Sequence, residues 1–152
     1  MKAASPTTRF CSEQNEPILR AMAGGEPIEV VLVEDNDIFR EALELMLEVT
    51  PDIRVVAAVG DGETALDVCP RVDPDVVLVD YRLPGLDGVE TTAGLRSACP
   101  AVSVVVLTAA AETGEIQALL DAGAVACLTK DRGLEEIVGA IREAAGRSAA
   151  IG

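Results

Sequence analysis

A chain of 152 residues can bury one substantial core, and 49% hydrophobic with 25% charged residues is the balance of an ordinary globular domain. A formal charge of −14 argues against direct nucleic acid binding, and the absence of histidine excludes histidine-based proton transfer and histidine–metal sites. No apolar run approaches membrane-spanning length and residues 1–26 lack the apolar core of a signal peptide, so the expectation is a cytoplasmic protein with no membrane partner.

Residues 1–26 carry Pro6, Pro17, Gly24 and Gly25 among scattered polar residues, and Lys2, Arg9 and Arg20 balance Glu13, Glu16 and Glu26. They read as a flexible N-terminal arm with a short helical turn near Ile18–Met22. Two roles stand open for it, a docking or dimer segment and an arm without function. From Ile28 the pattern alternates regularly. Strands are predicted at 28–33, 53–59, 76–80, 102–107 and 124–128. Helices are predicted at 37–49, 62–71, 88–98, 112–122 and 133–146. In the first helix Ile38, Ala42, Leu45, Met46 and Val49 share one face; in the last, Leu134, Ile137, Val138 and Ile141 do. Pro51 and Pro100 stop the helices they follow, and Gly123 sits where a helix-terminating glycine belongs.

The strands are nearly continuous apolar runs, as in a parallel sheet covered by helices on both faces. Aromatic residues are 2% of the chain and tryptophan is absent, so the core must be aliphatic. Five βα units predict an α/β fold, a (βα)5 doubly wound, parallel five-stranded sheet of flavodoxin-like type, over residues 27–147. Residues 148–152 form a C-terminal tail. The four cysteines, Cys11, Cys69, Cys99 and Cys127, show no CxxC spacing, and three fall in or at the edge of predicted elements and read as small apolar residues.

Four of the apolar runs end in polar residues of complementary chemistry. Val30–Val33 leads into Glu34 and Asp35, Val76–Val79 into Asp80, Val104–Leu107 into Thr108, and Ala124–Leu128 into Thr129 and Lys130. In a parallel sheet the C-terminal strand ends share one edge, so these groups would converge there. Three carboxylates so placed raise one another's pKa unless a cation joins them, and hard oxygen donors without His or Cys select Mg2+ rather than Zn2+. The plainer alternative for the first pair is helix capping by Asp35 or Asn36. Asp80 is followed by the tight turn Leu83-Pro84-Gly85-Leu86-Asp87-Gly88, which leaves its carboxylate exposed above the sheet and free to attack phosphorus. Thr108 offers a hydroxyl to a phosphoryl oxygen. Lys130, the only lysine in residues 28–152, offers a mobile positive charge. Ordinary strand-end and loop roles are the alternatives for both.

These positions, with the strings Val-Asp-Tyr-Arg-Leu-Pro-Gly-Leu-Asp-Gly and Gly-Ala-Val-Ala-Cys-Leu-Thr-Lys-Asp, resemble the receiver domains of two-component response regulators. The spacings, 45 residues from Asp35 to Asp80, 28 from Asp80 to Thr108 and 50 from Asp80 to Lys130, are similar to those of the NarL/FixJ (LuxR-type) branch. The resemblance covers residues 28–146. It implies that Asp80 accepts a phosphoryl group from a sensor histidine kinase. It further implies that Asp35 and Asp80 bind Mg2+ directly with the backbone carbonyl of Arg82, that Glu34 acts through water, that Thr108 is the switch hydroxyl and that Lys130 binds the phosphoryl group. Mg2+ and Lys130 would offset charge during in-line transfer. Such a domain is a phosphorelay signalling phosphoprotein in transcription regulation, not an enzyme beyond its own phosphorylation and autodephosphorylation. Its output is a changed partner, homodimer or output-domain contact on the face of helix 4, strand 5 and helix 5. Arg82 and Ala110 occupy positions that tune dephosphorylation in relatives.

Two departures stand out. Cys127 replaces the Tyr or Phe that family members usually carry three residues before the lysine, which removes the ring that swings inward on activation. Members of this branch usually continue into a helix-turn-helix DNA-binding domain, whereas this sequence stops at Gly152. The Cys127 replacement and the acidic surface motivate the alternative of a phosphorylation-independent interaction module built on the receiver fold. A haloacid-dehalogenase-type phosphatase is disfavoured because Asp80-Tyr81-Arg82 lacks the second acid of an Asp-x-Asp pattern. A flavin-type site is disfavoured because no strand leads into a phosphate-cradling loop.

Overall fold

The computed structural model describes residues 26–109 and 113–146. Five strands alternate with five helices: β1 Ile28–Val33, α1 Asp37–Glu48, β2 Ile53–Val59, α2 Gly62–Val72, β3 Val76–Asp80, α3 Gly88–Ala98, β4 Ser103–Thr108, α4 Thr113–Ala122, β5 Ala126–Thr129 and α5 Leu134–Ala144. The strands form one parallel sheet in the order β2-β1-β3-β4-β5. This is the predicted doubly wound, flavodoxin-like fold. From β1 the chain moves to one side to make β2 and returns to the other side to make β3. The C-terminal ends of β1 and β3 therefore flank the crevice where ligands bind in such sheets.

Alternation along each strand divides the core into two layers. Val30 and Leu32 of β1, Val76 and Leu78 of β3, and Val105 and Leu107 of β4 meet Leu43 and Leu47 of α1 and Ile137, Val138 and Ile141 of α5. Val31, Val33, Val77, Val79, Val104 and Val106 point the other way, onto Ala65 and Cys69 of α2, Leu95 of α3 and Leu119 of α4. Both faces are covered, which is why the strands read as continuous apolar runs.

The structure corrects the reading of α1. The predicted stripe of Ile38, Leu45, Met46 and Val49 faces solvent, and the core face is Leu43 and Leu47 with Phe39 packed beside them. Both stripes repeat with helical period, and the sheet selects the narrower one. The α5 face is as predicted. β5 begins two residues later than predicted, because the Ala124 N–H bonds Leu119 O at the end of α4 and only then does the Val125 N–H reach Val104 O of β4. Thr108 and Thr129 lie inside β4 and β5 rather than after them. Gly123 adopts φ +115°, which favours glycine as the chain leaves α4. The Ile18–Met22 turn, Cys11, Ala110 and the tail after Gly146 lie outside the described residues. Among the described residues, no helix is long and apolar enough to cross a membrane.

One glycine locks the connection after β3. The Gly88 N–H donates to Tyr81 O at 2.8 Å, and a Cβ at Gly88 would stand 2.7 Å from Tyr81 Cα and 2.9 Å from its carbonyl oxygen. Backbone cannot give way as a flexible side chain can. Gly88→Ala is expected to destabilise the protein by about 2 kcal/mol, in the range for overpacking, as a shift of the urea midpoint at unchanged slope. An unchanged midpoint would show that α3 can slide away from Tyr81.

Candidate functional site

Glu34 and Asp35 follow β1 directly, and their roles diverge at once. Asn36, not Asp35, caps α1, its side chain accepting the Phe39 N–H at 2.8 Å. Glu34 turns inward, 3% exposed, and accepts the Asn36 N–H at 3.0 Å on one oxygen and Lys130 Nζ at 2.8 Å on the other. Asp35 stays exposed, and among the described residues its carboxylate has no hydrogen bond or ion pair. The capping alternative is thereby answered. Asn36 takes the cap and leaves Asp35 available.

Asp80 ends β3 and is 5% exposed, so the expectation of a carboxylate exposed above the sheet is corrected to one sunk in the crevice. Its Oδ1 lies 3.3 Å from Lys130 Nζ and accepts the Arg82 N–H at 3.3 Å. The turn beyond it is held by a capping box at the start of α3, in which Asp87 accepts the Glu90 N–H at 2.8 Å and Glu90 accepts the Asp87 N–H at 3.0 Å. Thr108 ends the neighbouring β4, and its carbonyl accepts the Lys130 N–H at 2.8 Å. The four predicted strand ends thus do meet at one sheet edge.

Glu34, Asp35 and Asp80 each offer a carboxylate oxygen within 4.8 Å of the others. Three hard anionic donors at that separation suit a small divalent cation of the Mg2+ class. Glu34 has both oxygens engaged, whereas among the described residues Asp35 has neither. Burial first, then the charge of Glu34, raises the Asp80 carboxyl to about 6, against the opposing pull of Lys130 and the Arg82 N–H. Burial alone would lower Lys130, but its hydrogen bonds and charge contacts with Glu34 and Asp80 prevail and raise it, so it stays a cation.

Two residues that sequence reasoning missed shape this corner. The Phe39 ring lies 4.7 Å from Lys130 Nζ, a cation–π contact that supports the long lysine stem. Arg40 donates to Glu34 O at 2.7 Å and to Asp37 Oδ1 at 2.7 Å, pinning the end of β1 to the start of α1. Phe39 could have been suspected as one of only two phenylalanines, one turn beyond the acidic pair. Arg40 gave no such signal.

Residues 30–142 match the family model of the response regulator receiver domain. This chain belongs to that family. Among curated relatives, the nitrate/nitrite response regulator NarP of Escherichia coli is 36% identical over 124 residues, 82% of this chain and 58% of that protein. The response regulator GacA of Pseudomonas aeruginosa is 39% identical over 116 residues, 76% of this chain and 54% of that protein. The chain spans about half the length of the curated relatives it matches. Among solved structures, the signal receiver domain of the protein designated NarL in Mycobacterium tuberculosis superposes with a TM-score of 0.76 at 35% identity, over 80% of this chain and 98% of that one. The receiver domain of the sensor histidine kinase PA1611 of Pseudomonas aeruginosa, solved with magnesium coordinated in its active-site cleft, gives 0.71 at 33% identity, over 79% and 98%. The branch is the NarL/LuxR type, and the chain is a signalling domain of two-component systems.

Cys127 lies half-buried in β5 against the α2–α4 layer. Burial, then the charge of Glu115, raises its thiol, so it stays protonated at neutral pH and is a poor nucleophile. Burial pushes Cys69 up to about 12. Both support the reading of these cysteines as small apolar residues.

Proposed function

We propose that Asp80 accepts a phosphoryl group from the phosphohistidine of a sensor kinase, with Mg2+ held by Asp35, Asp80 and the Arg82 carbonyl. The observation that carries this reading is the placement of a buried Asp80 carboxylate between Lys130 at 3.3 Å and the Glu34–Asp35 pair. An Asp80 oxygen forms the new bond to phosphorus as the P–N bond of the donor breaks, and the electron pair leaves with the donor's imidazole nitrogen. Lys130 meets the phosphoryl oxygens with positive charge while Glu34 holds the lysine head in place. Thr108, at the adjacent strand end, offers its hydroxyl to the same oxygens. Bound Mg2+ supplies electrostatic neutralisation of the carboxylates and the phosphoryl oxygens. The histidine lies outside this sequence, which has none.

Intact-protein mass spectrometry after incubation with acetyl phosphate tests the proposal. One phosphoryl group is expected on the wild type with Mg2+, and none without Mg2+ or on Asp80→Asn. A folded wild type that takes up no phosphoryl group, from acetyl phosphate or from its own kinase, would overturn it in favour of an interaction module. Cys127→Tyr is expected to leave the acceptance rate within about twofold, because the thiol belongs to the apolar layer and not to the carboxylate cluster. A large change in rate would place Cys127 in the chemistry.

A further inference from the structure

The Lys130 ammonium has three neighbours of two kinds. Glu34 Oε1 lies 2.8 Å away, Asp80 Oδ1 3.3 Å away and the centre of the Phe39 ring 4.7 Å away. The two kinds act differently on an incoming phosphoryl group. A carboxylate competes with the phosphoryl oxygens for the three N–H donors of the lysine. An aromatic face attracts the charge through its quadrupole and accepts no N–H···O bond, so it holds the ammonium without occupying the donors. The lysine side chain is 24% exposed and its stem is flexible, so water is the alternative environment for its head.

The ring is itself well fixed. The Phe39 N–H donates to the side chain of Asn36, which caps α1, and the ring packs against the apolar layer that contains Leu43, Leu47 and Ile137. The next residue, Arg40, donates to Glu34 O at 2.7 Å. One turn of α1 therefore sets both the ring and the main chain of Glu34, the two anchors of the lysine head outside Asp80. We infer that Phe39 is a positioning residue for phosphoryl transfer, its ring face keeping the Lys130 ammonium beside Asp80 while the ammonium passes from Glu34 to a phosphoryl oxygen. This rests on the reading of Asp80 as acceptor and goes beyond it: the charge distribution of the ring, not its bulk, sets the rate.

The phenylalanines are Phe10 and Phe39 and the lysines Lys2 and Lys130, so both partners can be probed selectively. In the full chain carrying Phe10→Leu, biosynthetic replacement of phenylalanine by its mono-, di- and trifluorinated analogues alters Phe39 alone. Fluorine withdraws charge from the ring face and changes its size little. The rate of phosphorylation by acetyl phosphate with Mg2+ is expected to fall stepwise, about fivefold for the trifluorinated ring. That is about 1 kcal/mol of cation–π attraction converted at about 1.36 kcal/mol per tenfold. Phe39→Leu should lose as much, and Phe39→Tyr should stay near wild type. In NMR spectra of protein with isotope-labelled lysine, the Lys130 ε-methylene signal is expected upfield of that of Lys2 through the ring current, and to return toward it in Phe39→Leu. A rate indifferent to fluorination, in protein that is phosphorylated normally, would overturn this inference alone and reduce Phe39 to a packing residue. Coincident lysine signals in the wild type would also overturn it. A wild type that takes up no phosphoryl group would overturn the acceptor reading and this inference with it.

Discussion

Lys130→Ala is expected to slow phosphoryl acceptance by about 10²–10³-fold, the usual cost of removing one preorganised charge from a transition state, while Mg2+ binds more tightly. The opposite signs follow from the same geometry. Lys130 Nζ stands 2.8 Å from Glu34 and 3.3 Å from Asp80, so it is the internal counter-charge of the acidic cluster. Removing it leaves three carboxylates with more need of a cation, and Mg2+ affinity should rise about tenfold, one charge's worth at this range in a partly solvated site. The metal-free variant should be less stable by about 2 kcal/mol, because Glu34 stays buried and loses its ion pair. Added Mg2+ should recover that stability without recovering the chemistry. Lys130→Arg sharpens the test. It keeps the charge but exchanges a compact ammonium for a planar fork that does not fit the same gap over Phe39. It should restore stability and leave acceptance well below wild type. Calorimetric titration with Mg2+ and the acetyl phosphate rate read the two effects. If Lys130→Ala is phosphorylated at the wild-type rate, Lys130 is only the partner of Glu34 and takes no part in the reaction.

How far the sequence reveals this site depends on the strand. Val33, Val79 and Leu107 each hand over to a polar residue at the edge where parallel strands end together, so Glu34, Asp35, Asp80 and Thr108 could be placed without a structure. Burial could not be read in the same way. Asp80 and Glu34 are both sunk among apolar neighbours, whereas Asp35, adjacent in sequence, is exposed. That difference comes from Asn36 taking the α1 cap and from Lys130 drawing Glu34 inward, and both are tertiary choices. The same limit explains α1. Phe39, Leu43 and Leu47 and the wider Ile38–Val49 stripe have one period, so periodicity identifies the helix but not its buried side. The bond from Arg40 to Glu34 O fixes the rotation of α1, and no local pattern announces it. Ala124 and Val125 continue an apolar run, yet they complete the turn after α4 before β5 begins.

Asp80→Asn is expected to stabilise the metal-free protein by about 1–2 kcal/mol at pH 7.5 while abolishing phosphorylation, the linkage value for a carboxyl raised by burial, reduced for the polar amide that replaces it. In the folded chain Asp80 is raised from 3.8 to about 6, chiefly by burial and then by Glu34. Between these values the folded state holds a proton that the unfolded chain has released. The Asp80 contribution to stability is therefore greatest below pH 4 and is lost as pH rises through 6. The variant should be the less stable by about 1–2 kcal/mol at pH 4, where only the cost of the amide counts, and the difference should reverse between pH 4 and 6 and stay constant above. Reading the difference between the two proteins removes the contributions of carboxylates remote from Asp80. Mg2+ should close the gap from the wild-type side, since a ligand at 100 times its dissociation constant adds about 2.7 kcal/mol and Asp80→Asn has lost a donor. Urea titrations of both proteins at pH 4, 5, 6 and 7.5, with and without Mg2+, measure every part of this. A variant less stable than wild type at pH 7.5 without metal would mean that the contact with Lys130 outweighs burial and Glu34, and that the site is held together by its ion pair rather than strained by its excess negative charge.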